Sequence, residues 1–276
     1  MKESILFQTE LIEIGVFAVN PHEPSFLETG FVSSPIIVFP KNSIWIQHDG
    51  SEPFVADPTL VNFYNKGQSY RRFAINQAGD YCHWFRISDE LLSAVVAKDK
   101  RHFKLENMHC PATVFLQHLQ ILKQLSSKKN AMASEVKLRI EEQVLAMFQT
   151  LLSQPDMADS LFSRQQQKHK LLVERVKESI QADLSINLSL QQLSALHHTS
   201  PFHLSRVFKA INGYGINQYR TQQRLRSLAL EIQQHEIDLV DLAFDYGFSS
   251  HSHMSASFKQ VFGLTPSDCQ KQIYCQ

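Results

Sequence analysis

Two sets of side chains in this sequence have the types and spacing to do chemistry. The first is in the C-terminal half, where Phe208-Lys209 and Gly213 recur fifty residues on as Phe258-Lys259 and Gly263. On the stretch Pro201 to Ala210, helical spacing turns Leu204, Val207 and Phe208 to one side, leaving Phe202, His203, Ser205, Arg206 and Lys209 on the other. On Ser250 to Val261 it turns Met254, Phe258 and Val261 inward and His251, Ser252, Ser255 and Lys259 outward. A helix anchored by an apolar stripe and carrying hydrogen-bonding groups opposite fits the major groove of double-stranded DNA. Arg206 is the residue suited to two acceptors of a guanine edge, because its planar fork donates twice. The second set is N-terminal: Tyr70, Arg71, Arg72, Trp84 and Arg86, among the aromatics Phe31, Trp45, Phe54, Phe63, Tyr64 and Phe85. Aromatic walls with guanidinium groups suit a small carboxylate or other anionic ligand. Aromatics filling a core beneath solvated arginines give the same pattern, and the sequence leaves both readings open.

Other chemistry is missing from the pattern. There is no G-x-S-x-G elbow, no G-x-x-x-x-G-K-[ST] phosphate loop, no G-x-G-x-x-G and no H-E-x-x-H. His251 and His253 are two apart and do not share a helix face, which argues against a metal pair. Cys82, Cys110, Cys269 and Cys275 have no C-x-x-C spacing, so reduced thiols in a cytoplasm are expected, without a zinc site or disulfide framework. The expectation is of no catalytic residues, no metal and no cofactor.

The elements that must position these groups can be read from periodicity. Up to about Leu92 the chain is cut into short β-branched and aromatic runs, Pro35–Pro40, Ser43–Ile46, Thr59–Tyr64 and Tyr81–Ile87, with Asp49-Gly50, Lys66-Gly67 and Gly79-Asp80 as turns. Six to nine strands in a barrel or sandwich are expected. From Ala112 the period becomes helical through Phe115, Leu119 and Leu122, and Ser134 to Leu152 carries Ile140, Val144, Met147, Phe148 and Leu151 as a second apolar stripe. That stripe suits a homodimer seam, although packing on its own domain would produce it too. Ser153 to Gln167 reads as a linker, placing a boundary near residue 160. The predicted organisation is 1–155, linker 156–168, and an all-helical 169–276 in which Ile216 to Gln234 joins two helix-turn-helix units. Sliding the sequence aligns Ala195 with Ala243, so the two units should differ in length by two residues.

The 276 residues carry 27 Lys+Arg against 27 Asp+Glu, so any polyanion must be held by local patches. From Gln165 onward eleven basic residues face nine acidic ones, a small surplus. Seven of the thirteen histidines lie in that half, which predicts DNA affinity rising as pH falls from about 8 to about 6. No apolar run is long enough to span a membrane, and the residues after Met1 form no apolar leader.

Leu190–Ala195, Ser200–Lys209 with Gly213, and Leu239–Ser250 followed by Ser257–Ser267, ending Gly263-Leu264-Thr265-Pro266, resemble the C-terminal DNA-binding region of AraC/XylS-family transcription regulators. The sequence departs from that pattern at Ala256, where a polar residue is usual, and at Cys269-Gln270, where Tyr-Arg is common. The resemblance implies an α+β chain: an N-terminal cupin-like barrel with trailing helices, for sensing or dimerisation, then a double helix-turn-helix domain. It implies a cytoplasmic homodimer that binds double-stranded DNA, contacts RNA polymerase as an activator and answers to a small-molecule effector. The two readers would enter major-groove segments about 34 Å apart. Two alternatives stand beside it: a ligand-independent regulator with a scaffold-only N-terminal domain, and a cupin-type metalloenzyme with an appended DNA-binding domain. The second lacks an H-x-H pair, since His22, His48 and His83 are scattered.

Overall fold

The computed structural model describes residues 2–95, 103–126, 134–153, 164–234 and 238–274. The N-terminal half contains strands β1 (Lys2–Gln8), β2 (Ile12–Val19), β3 (Gly30–Phe31), β4 (Ile36–Pro40), β5 (Ile44–His48), β6 (Phe54–Ala56), β7 (Leu60–Tyr64), β8 (Ser69–Ala74), β9 (Asp80–Ile87) and β10 (Asn107–His109). Helices α1 (Asp89–Val95), α2 (Ala112–Ser126) and α3 (Ser134–Leu152) complete it. The strands form two antiparallel sheets, ordered β1-β2-β9-β4-β7-β10 and β3-β8-β5-β6. Among the described residues this is an open two-sheet sandwich, one of the two arrangements the strand pattern allowed, and the sheets do not close into the cupin-like barrel that the resemblance implied. The short strand β6 ends its sheet, and its outward Val55 N–H is taken by a helix carboxylate (Glu174 Oε2, 2.8 Å) instead of another strand.

The inner strands of the larger sheet are buried on both faces, and strand alternation divides their side chains between two cores. Ile12, Ile14, Ile37, Phe39, Val61, Phe63, Phe85 and Ile87 face α2 and α3. Phe17, Val19, Val38, Leu60, Tyr64 and Trp84 face the second sheet. The stripe Ile140, Val144, Met147, Phe148 and Leu151 is covered within the chain, packed with α2 (Val144 and Met147 both 0% exposed). It is therefore not a free dimer seam, and charges at Val144 and Met147 would disrupt this core.

The C-terminal half contains α4 (Arg164–Gln181), α5 (Leu190–Leu196), α6 (Pro201–Asn212), α7 (Ile216–Gln234), α8 (Leu239–Asp245), α9 (His251–Phe262) and α10 (Pro266–Tyr274). Helix α4 begins inside the expected linker, since Arg164 to Lys168 are all good helix formers. The anticipated boundary near residue 160 lies outside the described residues. No described helix is long and apolar enough to cross a membrane.

Candidate functional site

Helices α5–α6 and α8–α9 form two similar units. Each second helix has a serine N-cap, Ser200 Oγ accepting from His203 N–H (3.2 Å) and Ser250 Oγ from His253 N–H (3.1 Å). Each ends on a left-handed glycine, Gly213 (φ +82°) or Gly263 (φ +78°), whose N–H bonds back to the Lys209 or Lys259 carbonyl. The backbone corrects the expected alignment of the first helices. Thr199 N–H bonds the Ser194 carbonyl as Phe248 N–H bonds that of Ala243, so the small buried residue of the first unit is Ser194, whereas Ala195 is exposed. The units thus differ by one residue in the turn and not by two. His198 (φ +50°) occupies the left-handed position that Gly247 (φ +70°) fills in the second unit.

Phe202, Ser205, Arg206 and Lys209 are exposed on α6 and His203 is half-buried, with Phe202 leaving 78% of its surface in solvent. On α9, Ser252 and Lys259 are exposed, as is Ala256, while His251 and Ser255 are half-buried and within 3.5 Å of each other. Leu204, Val207, Phe208, Met254 and Phe258 are buried as expected, Val261 is half-buried against the same core, and Phe262, which the sequence reading missed, is buried with them. Cys269 is 4% exposed and fills the space expected of a larger residue.

Helix α7 spaces the two units, and Arg224 at its centre braces both. Its guanidinium donates to the Leu184 carbonyl (2.6 and 2.9 Å) and Asn187 Oδ1 (2.9 Å) beside the first unit, and to the Gly247 carbonyl (2.9 Å) in the second. A Cβ at Gly247 would lie 2.7 Å from the same guanidinium. Arg220 adds a bond to the Leu188 carbonyl (2.7 Å). Nothing in the sequence marks these arginines as internal, because their acceptors are carbonyls brought near only by the fold.

The second group of residues meets at a cavity of about 340 Å³ between the sheets. Tyr70, Arg72, Trp84 and Arg86 line it, whereas Arg71 is exposed and points away, as β8 alternation requires. Both arginines that reach the cavity are already engaged. Arg72 is paired with Asp80 (3.3 Å) and donates to Tyr70 Oη (2.9 Å), and Arg86 is paired with Glu13. Asp80, Asn62, Glu3 and Glu28 also line the space and were missed; period two through Leu60, Asn62 and Tyr64 could have found Asn62. Burial raises the Asp80 carboxyl to about 6, opposed by Arg72, and raises the Tyr70 phenol to about 12. Among the described residues, Trp84 Nε1 and Asn62 Oδ1 have no hydrogen-bond partner although both are buried. The cavity therefore offers aromatic surface with Trp84 Nε1 and Asn62 Oδ1 unpartnered; Arg72 Nε and Arg86 Nε also make no hydrogen bond, although each guanidinium is paired with a carboxylate. On its far side, His83 and His118 pack ring to ring with Nδ1 and Nε2 3.2 Å apart, and burial holds both well below the usual imidazole range.

The family model for a helix-turn-helix domain matches residues 193–272. The activator AarP of Providencia stuartii is 31% identical over 88 residues, 32% of this chain and 65% of AarP. MarA, the multiple antibiotic resistance protein of Escherichia coli, is 27% identical over 96 residues, 35% of this chain and 76% of MarA. The chain covers less than two thirds of AarP and 35% of the regulatory protein PocR of Salmonella typhimurium. A crystal structure of an AraC-type regulator from Chromobacterium violaceum is 23% identical, covering 39% of this chain and 96% of that one at a TM-score of 0.37. Over its tandem helix-turn-helix segment, residues 193–272, this chain is thus similar to AraC/XylS-family regulators.

Proposed function

We propose that this protein is a sequence-specific transcription regulator that reads two adjacent major-groove segments of double-stranded DNA with α6 and α9. One observation carries the reading: two capped helices expose Phe202, Ser205, Arg206 and Lys209, and Ser252 and Lys259, with His203, His251 and Ser255 half-buried beside them, while Arg224 fixes the units to one spacer helix. Arg206 reads a base edge, Phe202 packs on apolar base surface, and Lys209 and Lys259 meet phosphates. The protein acts as an activator that contacts RNA polymerase, and it works as a homodimer whose seam lies elsewhere than the α3 stripe.

The cavity holds a small effector. Because Arg72 and Arg86 are already paired, this effector is uncharged and hydrogen-bonding, unlike the anion that one of the two sequence readings allowed. It stacks on Trp84 and Tyr70 and satisfies Trp84 Nε1 and Asn62 Oδ1. Selection of duplexes from a random pool by the full chain tests the DNA reading. A common sequence enriched over competitor at fixed salt supports it; recovery of unselected DNA refutes it.

A further inference from the structure

We propose that the turn Asp57–Thr59 is a lever that transmits the state of the cavity to the spacing of the two readers, through a polar latch on α7 and α4. The inference rests on the effector and DNA readings above. The latch is a buried network between the two halves of the chain. Asp57 (0% exposed) accepts at Oδ1 from Thr59 N–H (2.8 Å) and Thr59 Oγ1–H (2.5 Å), and at Oδ2 from the Tyr219 hydroxyl (2.7 Å). Gln181 on α4 donates to that same hydroxyl (2.9 Å). Gln223 reaches Thr59 Oγ1 (3.4 Å), and Arg226 reaches the carbonyls of Pro58 (3.4 Å) and Cys110 (2.7 Å). Tyr219, Gln223 and Arg226 are at i, i+4 and i+7, so one face of α7 is seated on this turn. Glu174 of α4 takes the Val55 N–H of β6 and pairs with Lys177 (3.1 Å).

The two reader units are attached differently. The core of the second unit, with Leu228, Leu242, Met254 and Phe258, is continuous with that of the N-terminal half, and Phe262 stacks on Phe115 of α2 (5.8 Å). The core of the first unit, Val173, Leu193, Leu204, Phe208 and Tyr219, is a separate apolar cluster. Its links to the N-terminal half are mainly polar: the latch, Asn76 to the Gln181 carbonyl (3.1 Å), and His109, which bonds the Asn212 carbonyl (2.9 Å) and meets the hydroxyl (3.3 Å) and ring of Tyr214. With one unit docked by apolar packing and the other mainly by hydrogen bonds, the seating of the first on the N-terminal half depends on the geometry of this network, and Arg224 relays that seating to the second.

The strands that carry the turn also wall the cavity. Ala56 of β6 and Asn62 and Tyr64 of β7 line it, so Asp57 follows a cavity residue directly. An occupant bonded to Asn62 adds contacts to β6–β7, stiffens the turn and holds α4 and α7 in one seating. The readers remain open to solvent in this docked arrangement, so the latch fixes their spacing and does not cover them.

The test uses the full chain and hydrogen exchange, with a cavity-filling side chain as surrogate occupant. Val38→Phe, and Ile46→Phe from the other sheet, should slow exchange in β6, the turn and α4 by about threefold or more. Tyr219→Phe and Asp57→Asn should speed it in α4–α6 while leaving α8–α9 unchanged. In the double variant Val38→Phe/Tyr219→Phe, slowing should persist in β6 and vanish from α4. On selected DNA, one or two base pairs inserted between the half-elements should penalise Tyr219→Phe roughly fivefold less than the parent. The lever is overturned if both filled-cavity variants leave α4 unchanged, or if α4 slows equally without the Tyr219 hydroxyl. If the parent selects no DNA sequence, the regulator reading fails, while the exchange cycle still decides the lever.

Discussion

Replacing Arg224 by alanine removes four hydrogen bonds of 2.6–2.9 Å made by one guanidinium to three acceptors, the Leu184 and Gly247 carbonyls and Asn187 Oδ1. Each bond from a charged donor contributes about 1.5–3 kcal/mol in isolation, but the four share one donor group and do not add. The acceptors left behind are uncharged and water can reach them, so the loss should be ~3 kcal/mol, the upper value for a single bond from a charged donor. For a chain of this size that is a fall in Tm of about 6–12 °C. Arg224→Lys keeps the charge, but a point donor cannot span both units, so it should recover less than half of the loss. Urea unfolding of parent, Ala and Lys forms measures this. A loss below about 1 kcal/mol for Ala, or full recovery by Lys, would refute the brace.

Three further outcomes follow from the geometry. Arg206→Ala should cost about 1–3 kcal/mol on the specific site and relax one base position, whereas Lys209→Ala should weaken all sequences alike and flatten the salt dependence; titrations on specific and random duplexes at several salt concentrations separate them. His198→Gly relieves a left-handed backbone (φ +50°) on an exposed turn, so denaturation should show it unchanged to about 1 kcal/mol more stable, where glycine at an ordinary position would destabilise. The third concerns pH. His83 is held at about 3 and His118 well below 6.5, so the unfolded chain binds their protons first, and the stability they contribute is present above about 6.5 and lost as pH falls. Asp80 is raised from 3.8 to about 6, so its contribution has the opposite sign, present at low pH and lost as pH rises through 6. Between pH 6 and 4 two histidines outweigh one carboxyl, and these groups should lower stability by about 1.4 kcal/mol per pH unit on acidification. Asp80→Asn should steepen that fall and His118→Phe should flatten it, read from unfolding free energies across the range.

The helical readers were legible in the sequence because local spacing alone specifies them. The periodicity of Ile216 to Gln234 marks α7 end to end, and Ser200, Gly213 and Gly263 carry their cap roles in their residue types. Sheet closure was not legible. Short apolar runs specify strands, but whether β6 meets another strand or the carboxylate of Glu174, 119 residues away, is a long-range choice. The same limit explains the cavity. Arg71 and Arg72 look equivalent as a pair, and only the register of β8 sends one outward and the other to Asp80. The apolar stripe of α3 shows a different ambiguity, since a dimer seam and a contact with α2 need the same residues.

The most direct test of two rigidly spaced readers is an interference footprint of the full chain on a selected duplex. The account predicts two groups of major-groove contacts on one face, centred about 10 base pairs apart, with one base contact of the first lost on Arg206→Ala and the second group weakened on Lys259→Ala. A single contact patch, or two whose separation is unrelated to one helical turn, would contradict it.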